Sequence, residues 1–172
     1  WNQHPEWFMR WKDGSVMLPY YMRNDRKVVW YSFINPGVPE VNDYLLGVFD
    51  ELASRYPIDG LHLDYIRYPH DLAGWDFSYD EVSLRRFREA AGRSPDEAPE
   101  EWNRWRANQV TDLVRRLRAH LAQARPGAAL TAAVGRHGPH NMQYATEWLQ
   151  EGLLDAAVIM NYSKDPETYR GN

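Results

Sequence analysis

Cysteine is absent from the 172 residues. That removes a disulfide framework, a thiol nucleophile and a zinc–thiolate site, and it leaves the redox compartment unreadable. Long apolar runs are missing as well, since none approaches the ~18 residues of a membrane-spanning helix. No signal peptide opens the chain. It begins at Trp1 rather than an initiator Met and closes on Arg170-Gly171-Asn172 soon after a strand-like segment, so both ends are expected to be cut from something longer. Positive charge is not in excess: 20 Lys+Arg against 24 Asp+Glu leave a net −4. With no basic cluster beyond one helix face, nucleic acid is not an expected partner. What is plentiful is aromatic. Eight Trp and eleven Tyr within 14% aromatic residues suit a protein that stacks rings on sugar faces.

The stretch that organises the chain is Ile58 to Pro69, IDGLHLDYIRYP. Ile58, Leu61, Leu63 and Ile66 are strand-forming, while Gly60, His62 and Asp64 share one parity and face one way. A strand buried on both sides should be almost wholly apolar, so a His and an Asp two apart need partners or a task. Tyr65, Arg67 and Tyr68 follow at the exit, where rings and a guanidinium fit a polyhydroxylated ligand.

The flanking chain alternates strand and helix. Residues 1–30 read as a long loop with a turn at Asp13-Gly14, and Trp1, His4, Trp7 and Trp11 either wall a cleft or cover a barrel end. Val28–Ile34 is β-branched and aromatic and predicts a strand ending at Asn35-Pro36-Gly37. Pro39 opens a helix whose Val41, Tyr44, Leu45, Val48, Phe49 and Leu52 keep an i, i+3, i+4, i+7 pattern up to Arg55, and the Ile58 strand follows at once. This predicts a parallel βαβ unit. A long loop spans His70–Ser78, a short helix Tyr79–Ala91 ends at Gly92, and a long helix opens at Trp102 with Val110, Leu113, Val114, Leu117 and Leu121 as its stripe. Arg115, Arg116 and Arg118 lie off that stripe as a solvated face. After Pro126-Gly127 come a strand at Ala129–Gly135, a weak helix at Met142–Gln150 and a last strand at Leu153–Met160. Four strands thus present polar tips at Asn35, Asp64, Arg136 and Asn161. Residues 58–65 echo 154–162, which puts Asp59 and Asp155 at strand starts, where they are expected to be structural.

Several separated motifs resemble those of the glycosyl hydrolase-like family 10 domain: HPEW at 4–7, the run from Asn35 to Pro69, FSYDEVSLRRFREAAG at 77–92, WRxxQVT at 105–111 and VIMNYSKD at 158–165. The resemblance covers nearly the whole chain. It implies an α/β fold, a (β/α)8 TIM barrel of which residues 1–172 form one partial domain holding the middle βα units. It also implies an extracytoplasmic glycoside hydrolase acting on a polysaccharide or bacterial cell-wall glycan, with no cofactor.

Glycosidases commonly place two carboxylates ~5–5.5 Å apart when retaining and ~6.5–9.5 Å apart when inverting. Asp64 is the first candidate, at a strand tip, inward by parity and beside Arg67. No Glu falls at a predicted strand tip, so its partner is sought in Asp165, in Asp76 or outside the chain. Asn35, His62, Tyr65, Arg67, Arg136, His137, Asn161 and Tyr162 are expected to meet sugar hydroxyls, although Asn35 equally suits a cap on the following helix, Arg67 a tie for Asp64, and His62 a hydrogen bond inside a barrel. Two alternatives stand beside the hydrolase. A binding-only barrel would keep the aromatics without a working carboxylate pair. A metal-dependent hydrolase built from His62, Asp64, His137 and His140 is weaker, for no HxH or HExxH spacing is present.

Overall fold

The structure is a computed structural model that describes residues 3–17, 20–23, 26–29, 32–69, 76–135 and 141–162. It is an α/β chain. A 3-10 turn (Pro5–Trp7) and a hairpin of β1 (Tyr20–Arg23) and β2 (Arg26–Val29) precede helix α1 (Pro39–Arg55) and strand β3 (Gly60–Leu63). Then come α2 (Glu81–Ala91), α3 (Pro99–Ala124), β4 (Ala129–Gly135), α4 (Ala145–Gln150) and β5 (Ala156–Met160).

Local chemistry sets the helix ends. Pro39 and Pro99 stand in the first turns of α1 and α3, where a missing N–H costs nothing. Asp80 caps α2, its carboxylate accepting from the Ser83 N–H at 2.9 Å, and Gly92 closes it at φ +66°, a conformation that glycine adopts without strain. The α3 stripe of Val110, Leu113, Val114, Leu117 and Leu121 is buried as its spacing predicts. It packs over Leu63, Leu130, Ala132 and Val134 of the sheet, together with Trp148 of α4. Arg115, Arg116 and Arg118 point outward and pair with Glu151, Asp43 and Asp155.

The sheet has the order β3-β4-β5, all parallel, with Leu63 opposite Ala132 and Gly135 opposite Met160. Parallel pairing brings the ends after Leu63, Gly135 and Met160 to one edge. Asp155 anchors the other end of the sheet: it accepts from the Leu130 N–H at 2.7 Å and forms a two-pronged pair with Arg118 at 2.8 and 3.1 Å. These bonds hold its carboxyl below the usual range, Arg118 contributing most and the Leu130 N–H next.

Two expectations are corrected. Among the described residues, the strand expected at Val28–Ile34 makes no pairing with β3. Arg26–Val29 pairs antiparallel with Tyr20–Arg23, and Ile34 makes an isolated antiparallel bridge to Phe8. Residues 1–30 are therefore not merely a loop. Pairing with a segment two residues away in the chain closes a far smaller loop than pairing across α1, which favours the hairpin entropically. The predicted stripe of α1 is also only partly covered. Of that stripe only Val41 is buried, Leu45 and Phe49 are half-buried, and Tyr44, Val48 and Leu52 stay exposed, while Leu46 outside the stripe is buried where the helix leans on α3.

Candidate active site

Asp64 follows β3 directly, and its side chain is 56% exposed. One oxygen accepts from the Tyr65 N–H at 2.7 Å, and the Arg67 guanidinium stands 3.9 Å away. Arg67 is itself buried, its Nε has no hydrogen-bond partner, and its guanidinium lies 4.4 Å from the centre of the Tyr65 ring. A cation placed over a ring in a dry site keeps its charge close to the carboxylate. Tyr65 holds φ at +55°, the left-handed region, so the chain turns sharply just after Asp64. The Arg67 Nη1 also lies 3.9 Å from the Met160 sulfur, which ties the tip of β3 to that of β5.

Asp64, Tyr65, Arg67 and His62 line one cavity of about 410 Å³ with Ser32 and Phe33. That volume falls in the range of small-ligand sites. Its apolar lining includes Val41, Leu45 and Phe49 of α1 and Val110, Leu113 and Leu117 of α3. His62 shares a hydrogen bond of 2.8 Å with the Thr131 hydroxyl directly across the sheet.

Asn35 is placed elsewhere. It is fully buried, donating to Asp80 at 2.5 Å and Ser83 at 3.0 Å, and accepting from the Gly37 N–H at 2.9 Å and the Tyr68 hydroxyl at 3.1 Å. An amide whose bonds are all taken up by the protein cannot also bond a sugar, so Asn35 joins the turn at Pro36, Tyr68 and the start of α2. Ser78 completes the cluster by donating to Asp80 at 3.0 Å. Burial pushes the Tyr68 phenol well above the ordinary tyrosine range. Asn161 and Tyr162 follow β5 on the same edge as Asp64, Tyr162 being 85% exposed. Arg136, His137 and Asp165 lie outside the described residues, as does His140. Asp76 is engaged by Arg106 at 2.6 Å and by the Tyr79 hydroxyl. Among the described residues, no three His, Asp or Glu side chains are placed to hold a metal ion.

Sequence reasoning passed over Asp80, Ser83, Asn141 and Gln143. Asp80 had a signal, since an Asp just ahead of an amphipathic run is a helix cap. Gln143, fully buried beside β4, had none.

Comparison with known proteins shows where this geometry belongs. A sequence profile of the family described as Glycosyl hydrolase-like 10 matches residues 1–169. Glycosyl hydrolase YngK of Bacillus subtilis (strain 168) is 28% identical over 94 residues, covering 55% of this chain and 17% of YngK. Glycosyl hydrolase DigH of Escherichia coli (strain K12) is 26% identical over 146 residues, 71% of this chain and 30% of DigH. The chain thus spans less than a third of the length of either relative. Among solved structures, the PgaB (BpsB) glycoside hydrolase domain from Bordetella bronchiseptica superposes with a TM-score of 0.61 at 15% identity, over 81% of this chain and 42% of that one. The β-galactosidase of the psychrophilic Marinomonas ef1 gives 0.63 at 16%, over 96% and 30%. Both are glycoside hydrolases of TIM-barrel-like fold, and at these identities they show the fold alone.

Proposed function

Since this chain belongs to the glycosyl hydrolase-like 10 family, we propose that it supplies the middle βα units of a TIM-barrel glycoside hydrolase that cleaves a polysaccharide or bacterial cell-wall glycan by carboxylate acid/base catalysis. The observation that carries this reading is Asp64. It stands at the C-terminal tip of a parallel strand, where such barrels keep their chemistry, and opens on a ligand-sized cavity with a buried cation at 3.9 Å. In the usual two-carboxylate scheme one group moves a proton at the glycosidic oxygen while the other meets the anomeric carbon or its attacking water. Arg67 sets a positive charge 3.9 Å from Asp64, where it can orient the carboxylate toward a substrate. Tyr65 offers a ring for a sugar face, and His62, Asn161 and Tyr162 offer hydroxyl contacts. Arg136, His137 and the second carboxylate, for which Asp165 is our candidate, belong to the same proposal.

Incompleteness of the barrel is supported by β5. Val158 and Ile159 are neighbours and so face opposite ways, yet they are 53% and 59% exposed, so neither face of this strand is covered. In a closed barrel both would be.

The test is Asp64→Asn in the whole protein, reading new reducing ends from purified bacterial cell-wall glycan strands. Turnover should fall by about 10²-fold or more with binding little changed. Near-normal turnover by the folded variant would remove Asp64 from the catalytic role. A binding-only barrel is the second reading, favoured because Asp64 is the only carboxylate among the described residues lining the cavity. Equal glycan binding and no cleavage by either protein would select it.

A further inference from the structure

Gln143 is fully buried, and each polar position of its amide is used. Its oxygen accepts from the Gly135 N–H at 2.8 Å and the Asn141 amide at 3.3 Å. Its nitrogen donates to the carbonyls of Ala133 at 3.1 Å and Ile66 at 3.2 Å. Ala133 and Gly135 end β4, whereas Ile66 sits two residues beyond Asp64. The same segment makes a second stitch, with the Tyr68 N–H donating to the Asn141 carbonyl at 3.2 Å. Gly135 is what lets Asn141 come so close, since a Cβ there would lie 2.5 Å from its amide nitrogen.

Past Leu63 the chain leaves the sheet, Tyr65 takes a left-handed conformation, and the Arg67 N–H reaches back to the Tyr65 carbonyl at 2.8 Å. Gln143 adds to the ties that Arg67 makes to Met160 and the Tyr65 ring makes to Phe33. We infer that Gln143 is the positioning residue of this site: it locks the turn carrying Asp64, Tyr65 and Arg67 to the end of β4 and so fixes where the carboxylate stands in the cavity. This rests on the reading of Asp64 as the reacting carboxylate. Gln143 does not line the cavity and reaches the turn through the Ile66 carbonyl, so its effect passes through the backbone.

The experiment uses the whole protein with Gln143→Leu, which keeps the approximate volume and removes all four bonds. Two readouts are taken. Amide hydrogen exchange should show protection at Gly135 and Tyr68 falling roughly tenfold or more while the middle of α3 keeps its protection, since each lost buried bond matters locally. On bacterial cell-wall glycan strands, kcat should fall by about 10²-fold with KM little changed, the usual cost of a ~1 Å misplacement. Asp64→Asn combined with Gln143→Leu should be no slower than Asp64→Asn alone, because a positioning residue has nothing left to position. Should Gln143→Leu fail to fold, Gln143→Glu keeps the two accepted bonds. A carboxylate against two carbonyls has its pKa raised, so protection at Tyr68 should return as pH falls and the acid regains a donor. Unchanged protection at Tyr68 in a folded variant, multiplicative losses in the double variant, or collapse of both variants would overturn the proposal. Parental turnover by Asp64→Asn would instead sink the catalytic reading, and the exchange data would still decide whether Gln143 holds the turn.

Discussion

Replacing Asn35 by Ala tests the cluster behind the candidate site. The substitution deletes an amide that makes four hydrogen bonds with no contact to solvent. Two donors lose the acceptor that satisfied them, the Tyr68 hydroxyl at 3.1 Å and the Gly37 N–H at 2.9 Å. An unsatisfied buried group costs about 1–3 kcal/mol, so the pair should cost roughly 2–6 kcal/mol. Asp80 keeps its bonds from Ser78 and the Ser83 N–H and adds little to that sum. At about 2–4 °C per kcal/mol for a domain of this size, the melting temperature should drop by at least roughly 4 °C and by as much as about 24 °C. Circular dichroism melting of the whole protein measures it. A second variant fixes the cause. Asn35→Asp sets a carboxyl where the amide nitrogen stood, 2.5 Å from an Asp80 oxygen. Its folded pKa is then raised by the neighbouring charge, so its stability is retained below the unfolded pKa near ~3.9 and lost as pH rises. Asn35→Asp should therefore close much of its gap to the parent at about pH 4 and open it at about pH 7. Asn35→Ala melting within ~2 °C of the parent would refute the claim that these bonds hold the Pro36 turn, Tyr68 and the start of α2 together.

Other outcomes are as specific. Gly60→Ala should destabilise by several kcal/mol, since the new methyl would lie 2.5 Å from the Ala129 carbonyl oxygen, a backbone atom fixed by the sheet; chemical denaturation at near-parental stability would show that β3 can shift. Asp155 is held ionised, and a depressed carboxylate stabilises above its unfolded pKa and loses that as pH falls through the folded value. Its side chain is 44% exposed, so Asp155→Asn should cost no more than about 1 kcal/mol near neutrality, shrinking below about pH 3 in urea titrations; a pH-independent cost would contradict this. The isolated 172 residues should self-associate through the open strands, and Val158→Lys with Ile159→Lys should reduce that in analytical ultracentrifugation. A monomeric, sharply melting parent would argue against the partial barrel.

The sequence by itself determined the elements whose pattern repeats over a few residues. Helix α1 runs from Pro39 to Arg55 as the proline and the apolar spacing require, α3 buries the five residues of its stripe, and β4 spans Ala129–Gly135 as read. The position of Asp64 at the exit of β3 was likewise legible, because period two on a strand and the parallel pairing of β3 with β4 leave one edge for it. Tertiary structure alone decided the rest. Asn35 is drawn from a strand tip into the interior by Asp80 and Ser83, 45 and 48 positions on, and Gln143 holds Ile66 from 77 positions away. Bonds across such separations leave no periodic trace in either segment. The hairpin of Arg26–Val29 shows the opposite case: a β-branched run fits several partners equally, and only competition between near and distant strands settles which one it takes. For α1 the period gave the apolar face but not its neighbour, and the lean toward α3 left Val48 and Leu52 in water. Propensity and period act through a residue's own turn or pleat, whereas the choice of partner is made by the folded chain as a whole.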